Sequence, residues 1–445
     1  MSVYIDGSRP APAGIVVSAA WERAVAAPDG EAALLVRVVA PADPPRGRRT
    51  PTDVAFVLDR SGSMSGPKIE LVKQAVDVAC GLLRDEDRVA LVVFDNEVDV
   101  VQALAAATPR AKAAIRMALP GVDARGGTNL SGGWLTGCRE LATGQEADDA
   151  KARTRRAVLL TDGQANDGIV DPARLGREAN QLRRRGISTT TLGVGLGFDE
   201  FLLSAMAEAG GGNFAFIERP EQLRGFFEQE LQELLRTVAI GLTVTVTLPE
   251  GLHAEPVSAF PGERRGRTWT VSLGDVPAGE ELELVFRLPV KGGRVGDELP
   301  VAVSAGWTDP AADARRGGAV DLPALTLGDA AAVERAIADD RVREALAIHT
   351  AAAERRRALE LDRQGRYEES RHAMRGAVAS FDAAPASDRI RHLRHATQAL
   401  ASVEGPLGET TRKQAMQDNE RWRKGRDRGP AAPTGSEADA RSAKS

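Results

Sequence analysis

The chain has 445 residues, too many for one ordinary core, and at about 150 residues per domain it predicts two or three folding units. Hydrophobic residues make up 42% and charged residues 27%, as in soluble globular proteins, so most of the chain should fold. The 58 Lys and Arg nearly balance the 63 Asp and Glu, and a net charge of −5 excludes a strong overall field that would draw the protein to nucleic acid or an anionic membrane.

The beginning of the chain predicts β-strands, at 15–20 and 33–39. Its first residues, MSVYIDGSRPAPAG, do not show a basic start followed by an apolar run. The chain also lacks the run of about 18 apolar residues that a membrane-spanning helix needs. We therefore expect a cytoplasmic protein without a membrane span.

Residues 52–236 alternate short β-branched runs with amphipathic stretches of helical length, which is typical of βαβ units around a parallel sheet. The predicted strands are 54–58, 89–94, 98–101, 157–160, 188–194 and 213–217. Apolar residues fill consecutive positions in the first two strands, as expected when helices cover both faces of a sheet. The polar turn within 94–98 predicts an antiparallel hairpin at the sheet edge.

The helices predicted between these strands are 66–84, 109–118, 130–143, 172–185, 199–209 and 220–236. Two of them contain the cysteines of the chain, Cys80 and Cys138. Neither cysteine has the close Cys or His neighbour that a zinc site needs, so we expect two buried, reduced thiols.

Strand patterns return at 240–248, 268–273, 281–290 and 299–305, separated by Pro and Gly turns. We expect these strands to form one β-sandwich with the N-terminal strands, with the α/β domain inserted between them in sequence. Residues from 328 onwards are helical, with a helical hairpin around 361–367, and the tail should be disordered. The predicted units are 1–47 and 238–327 (β-sandwich), 48–237 (α/β domain), 328–425 (helical region) and 426–445 (disordered tail).

The sharpest local signal is Asp59-Arg60-Ser61-Gly62-Ser63, directly after the strand 54–58 and directly before a helix. In an open parallel sheet, ligands bind outside the carboxyl ends of the strands. The two serines at alternate positions can turn their hydroxyls to the same side as the Asp59 carboxylate. Hard oxygen donors of this kind suit Mg²⁺, which prefers six oxygens at about 2.0 to 2.1 Å.

Two further strand ends add oxygens of the same kind. Thr128 lies in Gly-Gly-Thr-Asn before the helix 130–143, and Asp162 lies in Thr-Asp-Gly after the strand 157–160. Three loops therefore predict one metal site.

These residues resemble the von Willebrand factor A-type (VWA) domain family. The metal-ion-dependent adhesion site (MIDAS) of that family is written Asp-x-Ser-x-Ser with a distal Thr and a distal Asp, and all five elements are present in order within 52–236. The resemblance implies a doubly wound, mostly parallel α/β sheet in which Ser61 and Ser63 bind the metal directly. It implies that Asp59 and Asp162 act largely through water, that Thr128 binds directly when a ligand is present, and that the sixth position is left for a partner's carboxylate.

The donor chemistry agrees with that implication. Neutral hydroxyls with only two carboxylates leave positive charge on the metal, so an incoming Asp or Glu is attracted. We expect Mg²⁺, with Mn²⁺ or Ca²⁺ as alternatives, and a protein partner that offers an acidic side chain.

Several other residues have a simpler interpretation. Asp-x-Ser-x-Ser alone is a common loop composition, and Ser or Asp before a helix is usually a cap. Asp95 and Asp99 are interpreted as hairpin-turn residues, and the run 153–156 as a surface turn. His392 and His395, three apart on a predicted helix, and the basic residues between 412 and 428, interleaved with acids, favour solvated helix faces over a metal site or a nucleic-acid contact.

The first functional hypothesis is a non-enzymatic, cytoplasmic interaction module of a bacterium, because we find no His, Cys or Lys near the five residues to act in catalysis. The alternative is a metal-dependent hydrolase acting on phosphoesters or peptides. A third interpretation makes the α/β domain a regulatory cap on the helical region.

Overall fold

The computed structural model describes residues 14–43, 50–146, 153–162 and 165–424. The described strands are, in chain order, β1 (Val16–Trp21), β2 (Val25–Ala26), β3 (Glu31–Val39), β4 (Thr52–Asp59), β5 (Arg88–Phe94), β6 (Val98–Ala106), β7 (Thr154–Thr161), β8 (Ile187–Val194), β9 (Gly211–Ile217), β10 (Thr237–Thr247), β11 (Glu255–Pro256), β12 (Gly262–Arg265), β13 (Thr268–Pro277), β14 (Glu281–Pro289), β15 (Glu298–Leu299), β16 (Ala302–Asp309), β17 (Ala314–Val320) and β18 (Leu325–Leu327). The described α-helices are α1 (Pro67–Leu82), α2 (Pro109–Ala118), α3 (Leu130–Glu146), α4 (Pro172–Arg184), α5 (Glu200–Gly210), α6 (Pro220–Leu235), α7 (Ala330–Arg335), α8 (Asp340–Arg363), α9 (Tyr367–Ser380), α10 (Asp388–Ala401) and α11 (Glu409–Arg423).

The central sheet has six strands in the order β6-β5-β4-β7-β8-β9. All neighbours are parallel except β5 and β6, which form the predicted antiparallel hairpin at one edge. Alternate residues of β4 enter two separate cores: Phe56 packs with α1 and α6, and Val57 packs with α3. Helices therefore cover both faces, and the prediction of a doubly wound, mostly parallel α/β sheet is confirmed.

Two further sheets, which we call the flanking sheets, have the orders β1-β3-β14-β11 and β12-β13-β10-β16-β17. In the first of them, Val36 of β3 lies opposite Leu284 of β14, so strands from before and after the α/β domain share one sheet. The two sheets bury a common apolar core, across which the Trp269 and Phe286 rings lie 6.5 Å apart. The small sheet β15-β18-β2 extends this β region.

The chain enters and leaves the α/β domain at neighbouring points. A terminal guanidinium nitrogen of Arg236, just after α6, donates to the carbonyl of Ala42 at 2.7 Å and to Asp43 at 3.1 Å. Close ends of this kind let one domain lie within the sequence of another. The limits of the predicted units stay predictions, and the boundary at 47/48 lies outside the described residues.

The helical region packs on both other parts of the chain. Val342 of α8 joins a small core with Leu35 and Val285 of the flanking sheets. Met416 of α11 belongs to the core beneath α5 that includes Phe198. The predicted hairpin around 361–367 is confirmed, since Gly365, with φ +76°, lies between α8 and α9.

Of two predictions about charged segments, the surface turn at 153–156 is wrong and the solvated helix at 412–428 is wrong for one face. Arg155 and Arg156 belong to β7 and are buried, with Arg156 paired to Glu230. Helix α11 is solvated on one face only: Arg421 is exposed, whereas Lys413 is buried, and the basic residues beyond 424 lie outside the described residues. Both predictions rested on charge alone. Arg156 and Lys413 are instead buried against carboxylates that lie more than 70 residues away in sequence.

Other predictions have simple outcomes. Cys80 and Cys138 are free and buried, as predicted. The tail 426–445 lies outside the described residues. In the part of the chain that the structure describes, no helix has both the length and the apolar character to cross a bilayer.

Candidate metal centre

Asp59 is the last residue of β4 and is completely buried between the ends of β5 and β7. Its carboxylate accepts a hydrogen bond from the Ser61 backbone N–H at 2.7 Å and one from the Thr161 hydroxyl at 2.5 Å. Burial raises the pKa of Asp59 to about 6, although these hydrogen bonds oppose the shift. The negative charge of Asp162 adds to the rise.

The two serines follow in a 3-10 turn at Gly62–Met64, which turns the chain back over the strand end. The Ser61 and Ser63 hydroxyl oxygens lie 3.1 Å apart, and the Ser63 hydroxyl donates to Oδ1 of Asp162 at 2.8 Å. Ser63 is exposed, whereas Ser61 and Asp162 are buried. Solvent therefore reaches the cluster past Ser63.

Thr128 comes from the loop before α3. Two backbone hydrogen bonds hold this loop against the serine turn, from Gly62 N–H to the Gly126 carbonyl at 3.1 Å and from Arg125 N–H to the Arg60 carbonyl at 2.7 Å. Gly126 needs to be glycine, because its φ is +69° and a Cβ atom there would lie 2.5 Å from Oδ1 of Asn96.

Asn166 fixes Thr128 from the other side. Its side-chain oxygen accepts from Thr128 N–H at 2.8 Å, and its own N–H donates to the Thr128 carbonyl at 3.3 Å. The sequence motif does not include Asn166. The contacts make it a positioning residue for Thr128.

Asp95 forms ion pairs with Arg60 and Arg125 that the sequence pattern did not predict. Asp95 was interpreted as a hairpin-turn residue, and it does accept from Glu97 N–H at 2.7 Å. It also accepts from Arg60 Nε and Arg125 Nε, each at 2.8 Å. Desolvation works against the ionised form, but the hydrogen bonds from Arg125, Glu97 and Arg60 hold the pKa of Asp95 below its usual range.

The expectation that no lysine lies near the five residues is wrong. The Lys68 ammonium forms an ion pair with Oδ2 of Asp162 and donates to the Ser63 carbonyl at 3.3 Å. The expectation about His392 and His395 is consistent with the structure, where both side chains are exposed on α10.

Hydrogen bonds join four of the five predicted residues, Asp59, Ser61, Ser63 and Asp162, at the carboxyl edge of the central sheet. Thr128 lies on the neighbouring loop, whose backbone is bonded to the serine turn. Among the described residues, no group of three or more His, Cys, Asp and Glu side chains is arranged to hold a metal ion. This site differs from such groups, since it offers two carboxylates and the hydroxyls of two serines and one threonine. Ligands of an octahedral ion with bonds of about 2.1 Å lie about 3 Å apart, so the spacing of the serine oxygens fits a shared Mg²⁺.

Comparison with known proteins agrees with this fold. The family model described as "von Willebrand factor type A domain" matches residues 53–229. These residues form a VWA domain. All five residues of the candidate centre lie within the VWA domain, as do Lys68, Asp95 and Asn166.

The relatives share more than the VWA domain. The protein sll0103 of Synechocystis is 29% identical over 296 residues, which are 64% of this chain and 68% of that protein. YfbK of Escherichia coli is 27% identical over 248 residues, 54% of this chain, and the match spans only 42% of its length. The chain thus spans between two fifths and about two thirds of these two proteins.

A solved structure also resembles the whole chain. The von Willebrand factor type A protein from Catenulispora acidiphila superposes with a TM-score of 0.72 at 20% identity, covering 95% of this chain and 99% of that one. The match extends the shared fold beyond the VWA domain to the flanking sheets and the C-terminal helices.

Proposed function

We propose that this protein binds a divalent cation, Mg²⁺ or alternatively Mn²⁺ or Ca²⁺, at Asp59, Ser61, Ser63, Thr128 and Asp162. We propose further that it uses the bound cation to recognise an acidic side chain on a partner protein. VWA domains typically mediate interactions between proteins, which supports the proposal. The observation that carries it is the distance of 3.1 Å between the hydroxyl oxygens of Ser61 and Ser63. Ser63 is the only exposed residue of the five, so a cation can reach this pair from solvent.

The hydrogen bonds of the site leave oxygen lone pairs free to bind a cation. Because the Ser63 proton points to Asp162, the Ser63 oxygen keeps lone pairs for a cation. Asp59 is held by Thr161 and by the Ser61 backbone, so its carboxylate is fixed before a cation arrives. Preformed donors reduce the ordering cost of binding.

The charge of the site favours an acidic partner. The two carboxylates and the Lys68 ammonium sum to one negative charge, and a divalent cation would change that sum to one positive charge. When bound, the metal supplies a Lewis-acidic position that attracts a carboxylate. Leu196, two residues after the end of β8 and next to Gly195, is 40% exposed and could contact apolar neighbours of that carboxylate.

Metal binding is tested by titrating the purified chain with Mg²⁺ and Mn²⁺ in a calorimeter. Ser63→Ala should weaken binding by more than about tenfold, since it removes a direct ligand. Ser65→Ala is the matched control, because Ser65 is exposed on the same turn and is not one of the five residues. Equal binding by wild type and Ser63→Ala would contradict the site.

Recognition is tested by capture from the native lysate in Mg²⁺. A partner should be retained by wild type and Ser65→Ala, and lost with chelator or Ser63→Ala. Changing the partner's acidic residues one at a time should then identify one whose loss abolishes capture. A metal-dependent turnover of phosphoesters or peptides that Asp162→Ala removed would instead support a hydrolase.

A further inference from the structure

Lys68 is the second residue of α1, and its side chain reaches back to the candidate metal centre. Its ammonium pairs with Oδ2 of Asp162 and also donates to the Ser63 carbonyl at 3.3 Å. The Asp162 side chain is completely buried, whereas the Lys68 side chain is 34% exposed. Lys68 therefore lies across the solvent side of the cluster, above a carboxylate that solvent does not reach.

The stem of Lys68 lies beside the opposite loop. A Cβ atom built on Gly195, where the chain leaves β8 with φ +70°, would lie 3.1 Å from Cε of Lys68. The glycine leaves the space in which the lysine stem lies. The ion pair with the buried Asp162 and the space beside Gly195 together place the ammonium over the candidate metal centre.

We propose that Lys68 is the built-in counter-cation of the metal centre, and that a divalent cation must displace its ammonium from Asp162 to bind. This inference rests on the proposed function. Without metal, Lys68 neutralises one of two carboxylates that would otherwise repel each other across the centre. If the ammonium stayed on Asp162 when the metal bound, the two positive charges would lie close together. Their repulsion in a partly buried site is several times that in water, so the ammonium is displaced.

Two consequences follow for the protein. Lys68 lowers the affinity for the metal, so the centre fills only when the cation concentration is high enough to compete. The displaced ammonium stays on the first turn of α1, beside the open face, where its positive charge adds to the attraction for an acidic partner.

The first test is calorimetric titration of the wild type, Lys68→Met and Lys73→Met with Mn²⁺ alone. Methionine keeps the apolar stem and removes the charge. Lys68→Met should bind about tenfold more tightly or better, a difference of about 1.4 kcal/mol or more. Lys73 lies on the same helix but pairs with Glu70 at 2.8 Å, so Lys73→Met should match the wild type and controls for loss of charge in general.

The results separate the two proposals. An affinity of Lys68→Met equal to or weaker than that of the wild type overturns the counter-cation and leaves the metal centre standing. An equal gain in Lys73→Met also overturns it, because the effect would then be long-range charge. If none of the three proteins binds Mn²⁺ or Mg²⁺, the proposed function fails together with this inference.

A second readout needs no variant. The rate at which an amine-acylating reagent modifies Lys68 is followed by peptide mass spectrometry in the wild type, with and without Mn²⁺. Release from Asp162 should raise the acylation rate of Lys68 severalfold, while the rate of the exposed Lys291, which follows β14, stays unchanged. An unchanged Lys68 rate at saturating Mn²⁺ shows that the ion pair persists and overturns the inference.

Discussion

The Lys413 ammonium lies 3.0 Å from Oε2 of Glu200, and each side chain is at most 2% exposed where α11 meets the start of α5. Lys413 also donates to the Phe198 carbonyl at 2.8 Å and lies 3.9 Å from the centre of the Phe198 ring. Arg412 pairs with the other oxygen of Glu200 at 2.6 Å. The C-terminal helices are thus fixed to the VWA domain by an ion pair that is almost completely buried, with Arg412 at its edge.

Lys413→Met should lower the free energy of unfolding by about 3 kcal/mol, because removing one partner of a buried ion pair leaves the other charge incompletely compensated. The measurement is urea unfolding followed by circular dichroism. The double variant Lys413→Met/Glu200→Gln should recover part of the loss. Arg366→Met, which breaks the half-exposed pair with Glu369 on α9, should leave the midpoint nearly unchanged.

If Lys413→Met and Arg366→Met behaved alike, the buried pair would not anchor the helical region. A loss in the double variant as large as the sum of its two single losses would show that the side chains act independently.

Asp95→Asn should weaken metal binding by about 10 to 100-fold, the usual effect of losing a residue that orients metal ligands. The carboxylate of Asp95 joins Arg60 in the serine loop to Arg125 in the loop that leads to Thr128. Calorimetric titration with Mn²⁺ measures the effect. Asp99→Asn is the control, because Asp99 is half-exposed and also contacts Arg60; an equal loss in both variants would contradict a special role for Asp95.

The role of Asp95 could not be predicted from the sequence, although the five residues of the centre could. Asp59, Ser61, Ser63, Thr128 and Asp162 could be grouped because parallel strands present their carboxyl ends at one edge of a sheet. The partners of Asp95 lie 35 and 30 residues away, and no periodicity connects them. Lys68 was missed for a similar reason, since its orientation depends on the space left by Gly195.

The fold, too, could be predicted from the sequence only in part. Continuous apolar runs such as Val89–Phe94 predict central strands, because both faces of such a strand must be covered. The short strands Glu255–Pro256 and Gly262–Arg265 carry little apolar pattern and pair at sheet edges, so the sequence did not predict them. Strand-edge pairing is decided by neighbours distant in sequence.

Gly137→Ala should destabilise the protein by about 1 to 3 kcal/mol, the usual cost of overpacking. Gly137 lies on the face of α3 that packs on β4, and a Cβ atom there would lie 2.4 Å from Cγ2 of Val57. Gly176 of α4 is the matched control, since its Cβ would meet Ala209 at an ordinary 3.9 Å. Gly176→Ala should stabilise by up to about 1 kcal/mol through helix propensity, and the same sign in both variants would contradict the close packing of α3.

His349 of α8 should make stability depend on pH. It is buried between the flanking sheets and the C-terminal helices, with Nε2 3.9 Å from Glu283 and with Arg389 and Arg423 nearby. Burial, reinforced by the positive charges of Arg389 and Arg423, lowers the pKa of His349 from 6.5 to about 3.

Because the folded pKa of His349 lies below the unfolded value, the unfolded chain takes up a proton between about pH 6.5 and 3 that the native chain does not. The contribution of His349 to the unfolding free energy is therefore complete above about pH 6.5 and falls by about 1.4 kcal/mol per pH unit below it. His349→Gln removes this dependence on pH. The unfolding free energy of the wild type should therefore approach that of the variant by about 1.4 kcal/mol per pH unit as the pH falls from about 6.5 to about 4.5. Urea unfolding at several pH values measures it, with the exposed His392→Gln as the control that should follow the wild type. Parallel curves for wild type and His349→Gln would show that His349 takes up its proton in the native protein over the same pH range as in the unfolded chain. The interface between the flanking sheets and the C-terminal helices would then have to accommodate its charge beside Glu283.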